Sequence, residues 1–195
     1  KDDKILLLKE EYHYLNRVLR LKIGDKLHIV DGLGCLWEGS IFSDELIALS
    51  SSFSKPLENV LRSKPLICLS IVLPKKGFED VLRMCCEIGV DVIQPLLSER
   101  SVVKMARQQS YIRWRKIIRE AVEQSERLWA PEINKIIPLE NWIDDFPSGS
   151  LFLFATTRLT DSDDLQYWLN NFKKDVDNIW IGIGPEGGWS QEEVK

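Results

Sequence analysis

Apolar positions in the first quarter of the chain alternate with polar ones or bunch in short runs. The pattern predicts strands over residues 5–8, 26–31, 35–42 and 45–49, and one short helix over 11–20, where the apolar spacing turns helical. Gly24-Asp25 precedes the second strand and Gly32-Leu33-Gly34 separates it from the third, so positive φ is available where hairpins turn. A small β-barrel or meander is expected here.

The polar, breaker-rich stretch Ser50-Ser-Ser-Phe-Ser-Lys-Pro56 reads as a connector, which places a domain boundary between about residues 52 and 65. The character then changes. A strand over 66–73 leads to a helix carrying Phe78, Val81, Leu82, Cys85 and Ile88, ended by Gly89, and then to a strand over 90–93. In the next helix, from residue 110 to about 129, Tyr111, Trp114, Ile118, Ala121, Ser125 and Leu128 recur at steps of three and four, with Pro131 as the stop. Strands over 133–137, 151–156 and 179–183 and helices over 139–146 and 163–172, the latter capped by Asp161 or Ser162, complete the pattern. Alternating strands and helices predict a mostly parallel sheet flanked by helices. The two domains are expected over residues 1–55 and 65–195.

Composition adds limits. Of 195 residues, 44% are hydrophobic and 29% charged, the balance of a chain with a real core, and no apolar run approaches the ~18 residues of a membrane span. With no leader-like start, a cytoplasmic protein is expected. Four cysteines and two histidines show no metal-binding spacing, so no metal is expected and the thiols read as buried and free. Net charge is −4, which argues against bulk electrostatic coating of nucleic acid. Yet residues 99–119 hold seven bases against Glu99 alone, while residues 138–178 carry eight acids against three bases. One face is therefore suited to phosphate.

The segment Gly182-Ile-Gly-Pro-Glu-Gly-Gly188, between a strand and a helix start, matches the G-x-G-x-x-G pattern of dinucleotide-binding loops. Two features oppose a dinucleotide: Pro185 offers no N–H, and Glu186 would set a carboxylate against a pyrophosphate. A nucleoside ligand without phosphates but with a positive centre, such as S-adenosylmethionine, would accept that carboxylate, and a glycine turn lets backbone approach an adenine. Ser190-Gln-Glu-Glu193 then has the form of a capping box, which predicts a helix start at the chain's end and suggests that the chain is a fragment.

Several pieces together resemble the RsmE family of 16S ribosomal RNA uridine N3-methyltransferases, of the SPOUT class. They are His13-Tyr-Leu-Asn-Arg-Val-Leu-Arg20 with Gly24-Asp25 and Asp31-Gly32, Glu87-Ile-Gly-Val90 with Pro95 and Ser98-Glu-Arg-Ser101, Glu123-Gln-Ser125 with Arg127 and Pro131, and Ile183-Gly-Pro-Glu-Gly-Gly-Trp-Ser190. The resemblance implies an α/β fold, with a PUA-like β-barrel for RNA followed by a SPOUT domain whose mostly parallel sheet carries a trefoil knot. It further implies S-adenosylmethionine as cofactor, a homodimer, and a uridine of 16S ribosomal RNA in the small subunit near the decoding region as target. Family members close the knot with Leu-Gly and Ile-Leu-Arg segments that this chain lacks after Lys195.

With the resemblance, Arg127, Glu123 and Arg100 become the candidate catalytic residues, Glu123 or Glu186 as proton acceptor and Arg127 on uracil or at an interface. Glu123 and Arg127 are four residues apart, one helical turn. Phe154, Thr156, Ile183, Gly184, Glu186, Gly187 and Gly188 are the expected cofactor contacts. Arg17, Arg20 and Lys22 cluster near His13 as phosphate contacts, and Trp37, expected on an exposed barrel strand, is the stacking candidate. His13 itself reads as structural. Two other readings stay open: a non-catalytic RNA-binding module, and a nicotinamide-dependent oxidoreductase resting on the literal glycine pattern.

Overall fold

Alternation along β3 (Cys35–Ser43) buries Trp37, Gly39 and Ile41 and turns Phe42 outward in the computed structural model, which describes residues 3–103, 108–156, 166, 167, 170 and 175–194. Strand β2 (Lys26–Val30) pairs antiparallel with one edge of β3, and β4 (Leu46–Leu49) with the other. Strand β1 (Lys4–Leu6) then pairs with β4, and β5 (Glu58–Asn59) pairs with the start of β3. The sheet order is β1-β4-β3-β2. Between β1 and β2, α1 (Lys9–His13) continues into a π-helical turn, Tyr14–Val18, and Arg20 takes a left-handed φ of 58°. The helical period expected over 11–20 thus ends early, because a π turn adds a residue per turn and the left-handed residue stops it.

This first unit comprises Lys1–Arg62 and recruits Arg127–Trp129 from far along the chain. The hairpin turn explains how. Asp31 Oδ1 accepts the N–H groups of Leu33 and Cys35, at 2.7 and 3.1 Å, and Gly34 runs at φ 102°. The Trp129 ring lies on Gly34, Gly34 N–H donates to the Leu128 carbonyl at 2.9 Å, and Trp129 Nε1–H donates to the Val60 carbonyl at 3.0 Å.

The second unit, Ser63–Glu126 with Ala130–Lys195, is built on a parallel sheet ordered β10-β11-β6-β7-β8. Its strands are β6 (Leu66–Val72), β7 (Val92–Leu97), β8 (Glu132–Ile133), β9 (Ile137–Pro138, also on β7), β10 (Ser150–Phe154) and β11 (Asn178–Ile183). Near-continuous apolar runs suit strands covered on both faces. On one face Cys68, Val72, Leu96 and Trp180 form a core with Leu139 and Trp142 of α4 (Leu139–Asp144) and with Trp189. Trp142 meets Phe146, Phe152 and Trp180 edge to face at 5.1–5.3 Å. Helices α2 (Phe78–Ile88) and α3 (Gln108–Ser125) pack on each other, with Phe78 and Trp114 4.7 Å apart between ring centroids. Gly89 closes α2 in the left-handed region, donating to the Cys85 and Cys86 carbonyls.

Three expectations are corrected here. Strand β7 runs on through Pro95, which had been expected to lie beyond it. Asn134 N–H donates to the Ile93 carbonyl, so odd-numbered residues of β7 face β8 and β9, and Pro95 faces the gap between those two short strands. Gln94 Nε2–H bridges that gap to the Lys135 and Pro95 carbonyls, so the missing proline N–H leaves no broken ladder. The same gap splits the single strand expected over 133–137 into β8 and β9. Finally, α3 ends at Ser125 rather than near Trp129, because Glu126 takes φ 52° and the chain leaves for the first unit. The helix expected over 163–172, like Lys104 and Arg107, lies outside the described residues except at 166, 167 and 170.

A Cβ at Gly34 would lie 2.4 Å from the Val60 oxygen and 2.9 Å from the Trp129 ring, whereas one at Gly24 would meet nothing within 4 Å. Both glycines have positive φ. Gly34→Ala is therefore expected to destabilise by about 2–4 kcal/mol and Gly24→Ala by about 1 kcal/mol, as read by urea unfolding. Equal losses would contradict the docking of Trp129 on this turn.

Candidate active site

Strands β10, β11, β6 and β7 are parallel neighbours, so the loops that follow Phe154, Ile183, Val72 and Leu97 emerge along one edge of the sheet. The carboxyl edge is where open α/β sheets place ligands. Side-chain and backbone hydrogen bonds join all four loops.

The glycine segment after β11 is shaped from within. A Cβ on Gly184 would sit 2.8 Å from the Trp189 ring, and Gly188 turns at φ 71° with its N–H on the Pro185 carbonyl at 2.8 Å. Trp189 is buried, and its Nε1–H donates to the Ala155 carbonyl after β10 at 3.0 Å. Arg100, in the loop after β7, donates from Nη1 to the carbonyls of Gly187 and Trp189 at 3.1 and 3.2 Å. Glu193 spans the same two loops, accepting the Glu99 N–H at 2.9 Å and the Ser190 N–H at 2.8 Å. Ser190 Oγ in turn accepts the Glu193 N–H at 3.3 Å. The capping box expected from the sequence is thus closed, but over a turn at 191–194 rather than a helix.

Glu186 joins β11 to β6. Its Oε1 accepts the Lys75 N–H at 3.0 Å. Hydrogen bonds from its own N–H and from Lys75 N–H hold the carboxyl below the ordinary glutamate range, and the side chain stays exposed. The arrangement keeps a carboxylate ionised on backbone donors, with its outer face open to a positive centre.

The structure brings Ile183, Gly184, Glu186, Gly187, Gly188 and Arg100 together, with Phe154 6.4 Å from Trp189 between ring centroids. Thr156 follows in the loop after β10. Arg100, expected as catalytic, uses its guanidinium on loop carbonyls and so positions the glycine segment. Glu123 is exposed on the last turn of α3. Arg127 lies beyond the helix end, and its Nε–H donates to the Trp129 carbonyl at 3.4 Å. In the first unit Arg17, Arg20 and Lys22 are exposed, as is His13. Trp37 is corrected: it is only 8% exposed, edge to face with Phe53, and offers no stacking surface. The outward aromatic of β3 is Phe42, with Lys4 Nζ 3.8 Å above its ring. Counting alternation outward from a buried Trp37 would have found it. Cys85 is buried, which pushes its thiol up to about 11 and makes it inert.

Residues missed from sequence are Lys75, Trp189 and Glu193. Lys75 acts through a backbone N–H, which no residue pattern marks. Trp189 stood in the family motif, but its role as the wedge over Gly184 depends on the fold.

Comparison with known proteins bears on the same edge. Residues 62–195 match the family model described as an RNA methyltransferase domain, and residues 7–48 the one described as an RNA methyltransferase PUA domain. Ribosomal RNA small subunit methyltransferase E of Synechocystis sp. is 35% identical over 195 residues, covering 97% of this chain. This chain spans 62% of that relative's length. Ribosomal RNA small subunit methyltransferase E 2 of Borreliella burgdorferi is 31% identical over 204 residues, covering 100% of this chain and 76% of that protein. Among solved structures, ribosomal RNA small subunit methyltransferase E from Neisseria gonorrhoeae, bound to S-adenosyl methionine, aligns with a TM-score of 0.78 at 25% identity, covering 99% of this chain and 78% of that one. A Legionella pneumophila protein in complex with bound SAM aligns with a TM-score of 0.81 at the same identity and coverage.

Because the folded-state pKa of Glu186 is depressed, its anchorage is complete above the ordinary glutamate value and is lost as pH falls through the depressed value. The Lys75 amide resonance is expected to titrate with that low midpoint, and Glu186→Gln to abolish the titration. A Lys75 amide insensitive to pH in this range would contradict the bond.

Proposed function

The chain belongs to the ribosomal RNA small subunit methyltransferase E family, and from that premise we propose that it methylates N3 of a uridine in 16S ribosomal RNA, near the decoding region, with S-adenosylmethionine. The observation that carries this reading is the ionised, exposed Glu186 within a glycine segment braced from three other loops at the carboxyl edge of the sheet. A carboxylate held by backbone N–H groups suits a sulfonium, and exposed Gly187 lets a nucleoside approach the backbone.

Phe154, Thr156, Ile183, Gly184, Glu186, Gly187 and Gly188 would hold the cofactor, which when bound supplies an electrophilic methyl group. Arg100 keeps the Gly187 and Trp189 carbonyls in place, and Glu193 keeps that loop against the one carrying Glu99. Glu186 supplies negative charge rather than basicity, since its depressed pKa makes it a poor proton acceptor. Glu123, exposed on α3, is the proton acceptor in this reading. Arg127, Arg17, Arg20 and Lys22 meet RNA from the first unit. The sheet is read as that of a trefoil-knot domain without its knot-closing segment, a reading supported by the place of β11 between β10 and β6.

The enzyme works as a homodimer in the cytoplasm, on the small ribosomal subunit. Met84 and Ile88, one turn apart on α2 and both exposed, are apolar surface that a second copy would cover. Among the described residues no helix is long and apolar enough to cross a membrane.

Incubation with methyl-labelled S-adenosylmethionine and undermethylated small subunits is expected to yield labelled 3-methyluridine, identified by nucleoside analysis. Glu186→Gln should lower kcat/KM about 10- to 100-fold. RNA binding without label transfer would instead leave a non-catalytic RNA-binding protein.

A further inference from the structure

Beside the glycine segment, on the far side of Lys75, lies a cleft of about 480 Å³ lined by residues 73–80 with Val103, Ser110 and Trp114. It falls within the size range of small-ligand sites. Phe78 and Trp114, both buried and packed edge to face, make it rigid beneath.

Its charges do not balance. The two acids of the lining are each already neutralised: Glu79 pairs with Arg113 and Asp80 with Arg83, both at 2.7 Å. Lys75 and Lys76 are exposed on the lining, and among the described residues neither ammonium has an ion-pair partner. Two arginines pair with the two acids, and two lysines remain among the described residues, Lys75 sharing its charge with the Glu186 carboxylate. The cleft is therefore a cationic recess, the opposite of the carboxylate presented by Glu186 next to it. A sulfonium ligand has no reason to enter it, whereas a phosphate does.

Lys75 belongs to both places. Its N–H fixes Glu186, its charge acts on that carboxylate, and the residue also lines the cleft, so a phosphate held there lies beside the glycine segment. We propose that this cleft holds a backbone phosphate of the RNA substrate, flanking the nucleotide presented to the glycine segment. The proposal rests on the RNA methyltransferase reading and adds to it a phosphate site in the second unit, apart from the basic residues of the first. The Arg113–Glu79 and Arg83–Asp80 pairs keep the acids from competing for the lysines.

The test uses a small-subunit ribosomal RNA oligonucleotide with unpaired uridines, titrated over a salt series into the wild type, Lys75→Ala, Lys76→Ala, the double alanine variant and the double arginine variant. S-adenosylmethionine affinity is measured on each. The expected result is about tenfold weaker RNA binding in the double alanine variant and a salt slope smaller by about one. The double arginine variant should restore both, and cofactor affinity should stay within about twofold in Lys76→Ala, which leaves the Glu186 anchor untouched. Five results would overturn the proposal. An unchanged slope with cofactor binding intact removes the phosphate contact, and a loss confined to S-adenosylmethionine assigns the lysines to the cofactor's carboxylate. Competition by inorganic phosphate near equimolar RNA assigns the cleft to the free ion. A wild type that binds S-adenosylmethionine but no RNA removes the RNA claim, while one that binds neither overturns the methyltransferase reading with it.

Discussion

Two backbone N–H groups, those of Glu186 itself and of Lys75, hold one carboxylate, and this bond joins loops that leave adjacent strands 111 residues apart in sequence. Its existence depends on parallel pairing of β6 with β11, which brings both carboxyl ends to the same edge. The other ties are of the same kind. Arg100 and Glu193 secure the loop after β7, and the Trp189 indole secures the one after β10. Each uses a side chain to satisfy backbone groups that would otherwise face solvent. The glycine segment is thus preorganised by the sheet's topology, and binding energy need not be spent on ordering it.

Two opposite electrostatic settings follow from the same few residues. Glu186 is kept ionised chiefly by neutral backbone donors, with a smaller contribution from the Lys75 charge, and its side chain stays exposed. The cleft beside it has its acids paired with arginines, which leaves Lys76 without an ion-pair partner among the described residues while Lys75 shares its charge with Glu186. Lys75 takes part in both, through its N–H and its charge at Glu186 and as a residue of the cleft lining. Such a division would let a cationic cofactor and an anionic nucleic acid occupy neighbouring places without competing for the same charges.

Much of this was legible in the sequence where local pattern and global fold agree. Apolar runs at Leu66–Val72 and Asn178–Ile183, separated by helical periods, mark buried parallel strands, and Gly184 to Gly188 announces a loop that needs unusual backbone. What was not legible depends on long-range pairing. Pro95 looks like a strand breaker until β8 and β9 are seen to leave a gap opposite it. The periodicity of α3 continues to Leu128, yet Trp129 is drawn away by its contact with Gly34, and the helix yields at Glu126. Trp37 reads as an exposed aromatic because which face of β3 is inward is decided by its neighbours, not by its own alternation. Ser190 and Glu193 show a correct local motif in a setting the motif did not predict: the box closes, and its glutamate also reaches the loop after β7.

These ties make the carboxyl edge of the second unit a preformed pocket for a sulfonium nucleoside. Calorimetric titration of S-adenosylmethionine into the wild-type protein and into Glu186→Gln, with NADH as control ligand, tests it most directly. Saturable S-adenosylmethionine binding, weakened by the substitution, and no heat from NADH are expected. Saturable NADH binding, or S-adenosylmethionine binding indifferent to the loss of the Glu186 charge, would contradict it.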